Sequence, residues 1–73
     1  MENNIRVQRA IKNITQDDLA IALGMSRQAV HAIETKKYIP SALNALRIAL
    51  YFEKTVDEIF FLEEAEKIFS TEK

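Results

Sequence analysis

The stretch that decides the fold is TQDDLAIALGMSRQAVHAIE, residues 15–34. It begins with Thr15, a good helix N-cap, and continues with two acidic residues in the first turn and apolar residues at helical spacing. Gly24 favours the left-handed conformation that ends a helix, and Ser26 can cap a second helix two residues later. The stretch therefore predicts two short helices joined by a tight turn.

The second of these helices combines an apolar face with a polar one. Its predicted buried face consists of Ala29, Val30 and Ile33. Arg27, Gln28 and His31 are expected to face outward. Two helices joined by so short a turn, the second with Arg and Gln at its start, have the anatomy of a helix-turn-helix, which lays its second helix in the major groove of DNA.

The chain closely resembles the lambda-repressor/Cro-like, or XRE-type, transcriptional regulators. The resemblance rests on the quoted stretch, on KYIPS at residues 37–41 and on TVDEIF at residues 55–60. It implies an all-α, compact five-helix DNA-binding domain over residues 1–60, with its helix-turn-helix at residues 15–34. It also implies a sequence-specific regulator, in the favoured interpretation a repressor, that binds a pseudo-palindromic operator as a homodimer with half-sites about 34 Å apart.

Four residues of the second helix are candidates for reading bases. Arg27 can donate two bonds to O6 and N7 of guanine, and Gln28 can pair with N6 and N7 of adenine. The resemblance places both of them, with His31 and Ala32, at positions that face the groove. Ala32 can offer only a methyl contact, and for His31 an ordinary solvated side chain is an equal alternative. One histidine without clustered carboxylates or thiols is not a metal site.

Five further residues are candidates for phosphate contact. They are Gln16, Ser26, Lys36, Lys37 and Tyr38. Gln16 matches a family position where a helix N-terminus anchors a phosphate, which its free amides and dipole attract; the alternative is a first-turn polar residue without a ligand. The two lysines follow the recognition helix, where they would add affinity without selecting sequence. Tyr38 is expected either to donate to a phosphate or, the favoured alternative, to cover the core.

The resemblance further implies an ion pair between Arg9 and Glu34. In the family such a pair ties the first helix to the end of the recognition helix. The alternative is that both are surface charges, whose pairing contributes about 0–1 kcal/mol. We favour a structural, partly buried pair that reads no base.

The remaining helices follow from periodicity and caps. A first helix over residues 5–12 is expected to end at a left-handed Asn13, after weakly structured residues 1–4. Its residues available for burial are Val7, Ala10 and Ile11. Ser41 caps a fourth helix that runs to about residue 51, and Thr55 caps a fifth. The predicted buried face of the fourth helix consists of Leu43, Ala45, Leu46, Ala49 and Leu50, with Phe52 closing the core.

The composition describes a small domain with an uneven charge distribution. The chain has 73 residues and a net charge of −1. Before Thr55 the sequence has eight basic and five acidic residues, whereas from Thr55 onward it has two basic and six acidic residues. A basic body therefore carries an acidic tail, which is expected to point away from phosphate. A thin core without cysteines suggests support from a partner chain. No signal peptide or long apolar run is evident, so we expect a cytoplasmic protein.

The acidic C-terminal segment, residues 61–73, is expected to contribute a dimer contact. On a helical wheel its apolar residues fall opposite the apolar face of the fifth helix, so one unbroken helix cannot bury both sets. The residues concerned are Phe61, Leu62, Ala65, Ile68 and Phe69. Either the chain breaks near Phe61 and folds back, or this set binds a second copy, as a helix or as an extended segment that pairs across the dimer.

An enzyme is not expected from this sequence. The chain has one Gly and no Cys, and its only His lacks an evident nucleophile beside it, so neither a glycine-rich phosphate loop nor a catalytic constellation is present. No cofactor is implied. Two other functions stay open on the same scaffold: an antitoxin-like regulator whose tail binds a partner protein, and a protein-interaction module that has lost DNA binding.

Overall fold

Five helices and one short ribbon make up the computed structural model, which describes residues 1–69. The helices are α1 (Ile5–Lys12), α2 (Gln16–Leu23), α3 (Arg27–Glu34), α4 (Ala42–Tyr51) and α5 (Val56–Ile59). The two-residue strands β1 (Glu2–Asn3) and β2 (Phe60–Phe61) pair with each other, and a 3₁₀ turn follows at Glu64–Lys67. The predicted all-α fold of five helices is confirmed, with the ribbon as an addition.

The helices begin where the capping residues predict. The side-chain oxygens of Thr15, Ser26 and Ser41 each accept a hydrogen bond from a first-turn amide, at 3.0, 3.0 and 3.2 Å. Each bond satisfies one of the amides that a helix N-terminus leaves without an intrahelical partner. The caps therefore fix the boundaries of α2, α3 and α4.

Left-handed residues close several of the turns. Asn13 and Gly24 have φ of 59° and 67°, as their residue types predict. Lys36 and Glu53 also take positive φ, 66° and 58°, although neither is a residue type that favours this region. The turns after α3 and α4 therefore hold strained residues at positions where glycine or asparagine would be relaxed.

The core draws on all five helices. Its buried residues are Ile5, Leu19, Ala20, Leu23, Val30, Ile33, Ala45, Ile48, Ala49, Phe52, Ile59 and Phe60. Met1, Ile14, Met25, Tyr51 and Val56 pack against this cluster while partly exposed. None of the helices within residues 1–69 has the length and apolar content needed to cross a bilayer.

The predicted buried face of α1 is wrong. Ile5 is buried, whereas Val7, Ala10 and Ile11 are exposed. The helix is rotated so that Arg9, one turn after Ile5, faces the domain and reaches Glu34. Because positions two and six residues after Ile5 lie on the opposite side of an α-helix, Val7 and Ile11 are left in solvent.

The predicted buried face of α4 is only partly correct. Ala45, Ala49 and Phe52 are buried as expected. Leu43, Leu46 and Leu50 are 66%, 59% and 77% exposed, so their assignment to the core is wrong. The two small alanines let α4 approach the body closely, and Ile48 between them supplies the bulk. The three leucines, at positions i, i+3 and i+7, therefore form an outward stripe, which we call the α4 stripe.

The N-terminal residues are ordered, against expectation. Glu2 pairs with Phe61 and Asn3 with Phe60 in antiparallel register, so the extended end of α5 pairs within its own chain. The Asn3 amide donates to the Ile33 carbonyl at 3.0 Å, which ties the ribbon to the end of α3. The Met1 ammonium group lies 2.8 Å from a carboxylate oxygen of Glu66 in the 3₁₀ turn.

Candidate nucleic-acid interface

A cleft between the start of α2 and the outward face of α3 gathers four of the nine predicted contact residues. It has a volume of about 340 Å³ and is lined by Gln16, Arg27, Gln28 and His31. Arg27, Gln28 and His31 are exposed, as predicted for the outward face of α3. The fold thus joins one candidate phosphate ligand with three candidate base-reading residues.

Two candidate residues, the N-cap Ser26 and Ala32 within α3, also have structural roles. The Ser26 hydroxyl accepts from the Ala29 amide, and its own O–H hydrogen is left to donate elsewhere. Ala32 is half-buried, and its carbonyl accepts from the amides of Lys37 and Tyr38 at 2.9 and 3.2 Å. The end of α3 and the loop after it therefore form one hydrogen-bonded unit.

Arg9 and Glu34 form a bidentate ion pair beneath the cleft. Nε of Arg9 lies 2.6 Å from Oε2 of Glu34, and Nη2 lies 3.0 Å from Oε1. The side chains are only 15% and 6% exposed, and Nη1 of Arg9 also donates to the Ile14 carbonyl. The pair therefore holds α1, the end of α3 and the loop before α2 together.

The charges of this pair are stabilised in the folded state. Burial by itself would raise the pKa of the Glu34 carboxyl, but hydrogen bonds from Arg9 and Gln16 and the charge of Arg9 outweigh burial and leave that pKa below its ordinary value. The bond to Glu34 in turn raises the pKa of the Arg9 guanidinium. Both groups are therefore ionised across the physiological pH range.

Gln16 connects this ion pair to His31 on the outward face of α3. Its Nε2 atom lies 3.2 Å from Oε1 of Glu34 and 3.2 Å from Nδ1 of His31. An ionised carboxylate can only accept, so the NH₂ group of Gln16 must be the part of the amide that faces Glu34. Gln16 therefore orders His31 against the buried pair.

The three candidate residues in the loop after α3 differ in whether another side chain already engages them. Nζ of Lys36 lies 3.0 Å from a carboxylate oxygen of Glu2, and this bond raises the pKa of the lysine. Lys37 is exposed, and it has no ion-pair partner within residues 1–69. Tyr38 is 54% exposed, so the favoured core role of its ring is wrong. Lys37 and Tyr38 are thus available to a ligand, whereas Lys36 is engaged.

Sequence reasoning missed three residues that shape this surface. Glu2 engages Lys36, Asn3 binds the end of α3, and Nη2 of Arg47 donates to the Leu23 carbonyl at 2.5 Å, closing the end of α2. Their partners lie 24 to 34 positions away along the chain. No local pattern signals contacts over such separations.

Comparison with known proteins agrees with the five-helix fold. The family model described as "Helix-turn-helix" matches residues 5–59, which span all five helices. The chain belongs to the XRE-type helix-turn-helix family. An HTH-type transcriptional regulator of Methanocaldococcus jannaschii, MJ0272, is 46% identical to this XRE-type chain over 66 residues, covering 90% of the chain and 100% of the relative.

Two further relatives of this XRE-type chain carry the same kind of name. YgzD, an HTH-type transcriptional regulator of Bacillus subtilis, is 39% identical over 64 residues, covering 88% of the chain and 97% of the relative. An HTH-type transcriptional regulator of Archaeoglobus fulgidus is 36% identical over 66 residues, covering 90% and 93%. These names describe DNA-binding regulators, a class that is typically not enzymatic.

Proposed function

We propose that this chain is a sequence-specific double-stranded DNA-binding transcriptional regulator that acts as a repressor and binds a pseudo-palindromic operator as a homodimer. The observation that carries the proposal is the cleft, where Arg27 and Gln28 project from α3 beside Gln16 at the N-terminus of α2. A recognition helix in the major groove presents its N-terminal side chains to base edges, and these two residue types are suited to guanine and adenine.

Base reading in this proposal belongs to the exposed face of α3. Arg27 donates a pair of parallel bonds to guanine, and Gln28 donates and accepts at adenine; a good pair is worth about 1–3 kcal/mol of discrimination. His31 and Ala32, one turn later, contact the next bases, Ala32 through its methyl group. Arg9 and Glu34 set the angle of the helix without touching DNA.

Phosphate contacts position the domain on the duplex. Gln16 and Ser26 lie at the N-termini of α2 and α3, where free amides and the helix dipole attract an anion. Lys37 and Tyr38 are exposed just past α3 and extend the contact along the backbone. Lys36 reaches a phosphate only by leaving Glu2, so it contributes less than Lys37.

A homodimer would bury two exposed apolar surfaces. One is the α4 stripe, whose leucines stand on a well-packed helix. The other, which we call the tail surface, consists of Phe61, Leu62, Ala65, Ile68 and Phe69, all exposed. Patches of this kind on a small domain mark an interaction site. We place the α4 stripe at the centre of the dimer contact and the tail surface at its edge.

Occupancy of the operator by the dimer is sufficient for repression in this proposal. A dimer that covers two half-sites excludes other proteins from the same DNA and needs no contact with the transcription machinery. The acidic groups of the C-terminal segment would repel phosphate, which favours an orientation with that segment away from the duplex.

The experiment that tests this function is selection of preferred duplexes from a random library by the purified protein at two salt concentrations. An enriched site with two inverted halves is the expected result, and affinity should fall as salt rises because phosphate contacts release counterions. Absence of enrichment, with only weak salt-sensitive binding, would contradict sequence-specific regulation. A protein that co-purifies through the tail surface would favour the antitoxin-like alternative.

A further inference from the structure

The NH₂ group of the Gln16 side chain is fully engaged in the free protein. One N–H of its NH₂ group is directed to Oε1 of Glu34 and the other to Nδ1 of His31, both at 3.2 Å. An amide NH₂ group has two donors and no more. Gln16 therefore has no free side-chain N–H for a DNA phosphate unless it gives up one of these bonds.

The same contacts fix the tautomer of His31. The Glu34 carboxylate orients the NH₂ group of Gln16, and an N–H directed at Nδ1 requires a lone pair there. The ring proton of the neutral imidazole is therefore on Nε2. Addition of a second proton at Nδ1 would set N–H against N–H and break the contact with Gln16.

DNA is expected to break the bond to His31 and keep the bond to Glu34. Glu34 is a charged acceptor whose side chain is 6% exposed, whereas His31 is exposed and uncharged in the state that accepts. A bond to an ionised group is stronger than one between neutral groups. Once Gln16 turns one donor to a phosphate, Nδ1 of His31 is free beside a negatively charged backbone.

From this geometry we propose that DNA binding takes up one proton at His31, so that the bound state carries an imidazolium that donates from both ring nitrogens. This inference rests on the proposed function, since it assumes that the cleft receives DNA. A histidine ring can exchange this proton with water, so the linkage can be followed by changing the pH. The consequence is a DNA affinity that rises as the pH falls.

The other charged groups around His31 come from three helices. Arg27 and Glu34 lie on its own helix, and Asp17 is next to Gln16 on α2. On α1, Arg9 is paired with Glu34 and the charge of Arg6 also acts on Glu34. Arg27 opposes a positive imidazole and Asp17 favours it, while Arg9 largely neutralises Glu34. The added DNA phosphates are therefore the decisive change in charge at this site on binding.

The direct test is proton NMR of the imidazole, which is unambiguous because the chain has a single histidine. The carbon-bound ring protons are followed at pH 7 while a 20-base-pair duplex carrying the selected site is added. We expect these resonances to move toward the positions that the free protein shows in acid. Resonances that keep their neutral positions in a saturated complex would overturn the inference while leaving DNA binding intact.

The second test compares affinities at pH 6 and pH 8 for the wild-type chain and two variants. Uptake of one proton changes affinity by at most about tenfold per pH unit, so the wild type should bind more tightly at pH 6 than at pH 8, by no more than about a hundredfold. His31→Asn keeps an acceptor near Gln16 but cannot take a proton, and His31→Lys is charged at both pH values. Both variants should lose most of the pH dependence.

The outcomes separate the inference from the function on which it rests. A wild-type pH dependence that His31→Asn shares would assign the proton to another group and overturn the inference. Failure to bind the selected duplex or a random one at either pH, with unchanged NMR spectra, would overturn the proposed function and the inference together. Circular dichroism of the variants checks that each is folded, and the NMR test on the wild type needs no variant.

Discussion

At the scale of single residues, Arg27 and Lys37 are proposed to make two different kinds of DNA contact from one surface. Arg27 lines the cleft at the start of α3, where a planar guanidinium can match two acceptors of one base. Lys37 is exposed in the loop beyond α3, where a flexible ammonium group can follow the phosphates of any sequence. The two residues should therefore respond differently to a change of DNA sequence.

Substitution of Arg27 and of Lys37 separates these roles. Arg27→Ala should cost roughly 1–3 kcal/mol on the selected site and relax the preference at one base pair. Lys37→Ala should weaken binding to selected and scrambled duplexes alike and reduce the slope of log affinity against log salt by about one. Binding measured at three salt concentrations distinguishes the two; equal effects of both variants on both duplexes would contradict the assignment.

The Arg9 and Glu34 pair should stabilise the fold in a pH-dependent way. Glu34→Gln leaves the Arg9 guanidinium buried without its counterion, which should reduce the free energy of unfolding by about 1–3 kcal/mol at pH 7. Because the pKa of Glu34 is lowered on folding, its contribution is present at neutral pH and is lost as the pH falls below about 4.

Urea unfolding of the wild type and Glu34→Gln at neutral and acidic pH measures this effect. The difference between the two proteins should shrink in acid, where the wild-type carboxyl is protonated. The double variant Arg9→Met with Glu34→Gln is the control, since it removes the buried charge that the single variant leaves unpaired. A difference that stays constant with pH would show that the pair does not carry the stability.

At the scale of elements, the sequence predicts features that depend on neighbouring residues, such as helix starts. It does not predict elements that form through contacts between distant parts of the chain. Thr15, Ser26 and Ser41 mark helix starts because a cap bonds within its own first turn. The ribbon was not predictable, since Glu2 and Phe61 pair across almost the whole chain and neither strand has more than two residues.

Contacts between distant residues also limited the prediction of the helix faces and of the candidate site. Periodicity identified α4 but could not tell that its alanines, rather than its leucines, face the body. In the site, Arg27, Gln28 and His31 were placed on the outward face from the sequence, as the structure has them. The link from Gln16 to His31 and Glu34 depends on how three elements meet, so no local pattern contained it.

Ser26 allows its cap and its proposed DNA contact to be tested separately. Ser26→Ala removes the cap of α3 and should reduce stability by about 0.5–2 kcal/mol. Ser26→Asp retains an equally good cap, so it should keep the stability of the wild type, but its carboxylate would repel a phosphate and lower DNA affinity by about tenfold or more. Thermal unfolding and duplex binding measure the two effects, and wild-type affinity in Ser26→Asp would place the phosphate elsewhere.

The strained end of α4 offers a stabilising change. Glu53 has φ of 58°, which costs a non-glycine residue roughly 1–2 kcal/mol. Glu53→Gly should therefore raise the melting temperature by about 4–8 °C per kcal/mol recovered, less the greater flexibility of glycine in the unfolded chain. Glu53→Ala is the matched control, because it removes the same charge and keeps the strain. Equal melting temperatures for both variants would contradict a backbone origin.

At the scale of the whole molecule, the exposed apolar residues set the expected assembly. A stable interface buries about 1,200–2,000 Å² in total, and a symmetric dimer uses the same patch on both chains. The α4 stripe offers three leucines on a well-formed helix, whereas Ile68 and Phe69 follow the 3₁₀ turn and are 81% and 73% exposed. The stripe should therefore supply most of the dimer stability and the tail surface a smaller part.

Paired substitutions on the two surfaces test this order. Leu46→Glu with Leu50→Glu should give a monomer at micromolar concentration, because it sets four carboxylates against one another across a symmetric contact. Ile68→Ser with Phe69→Ser should weaken the dimer by about tenfold, as expected for partial loss of apolar area at an edge. Sedimentation equilibrium measures both, and an unchanged dimer in the second variant would remove the tail surface from the interface.

The monomeric variant also separates assembly from recognition. Its cleft is unaltered, since Leu46 and Leu50 lie on α4 and take no part in lining it. It should therefore keep the same preference for a single half-site while losing the gain in affinity that comes from holding two recognition helices at once. If the variant instead lost its preference among half-sites, the α4 stripe would be supporting the position of α3 within one chain, and the proposed dimer contact would have to lie on another face.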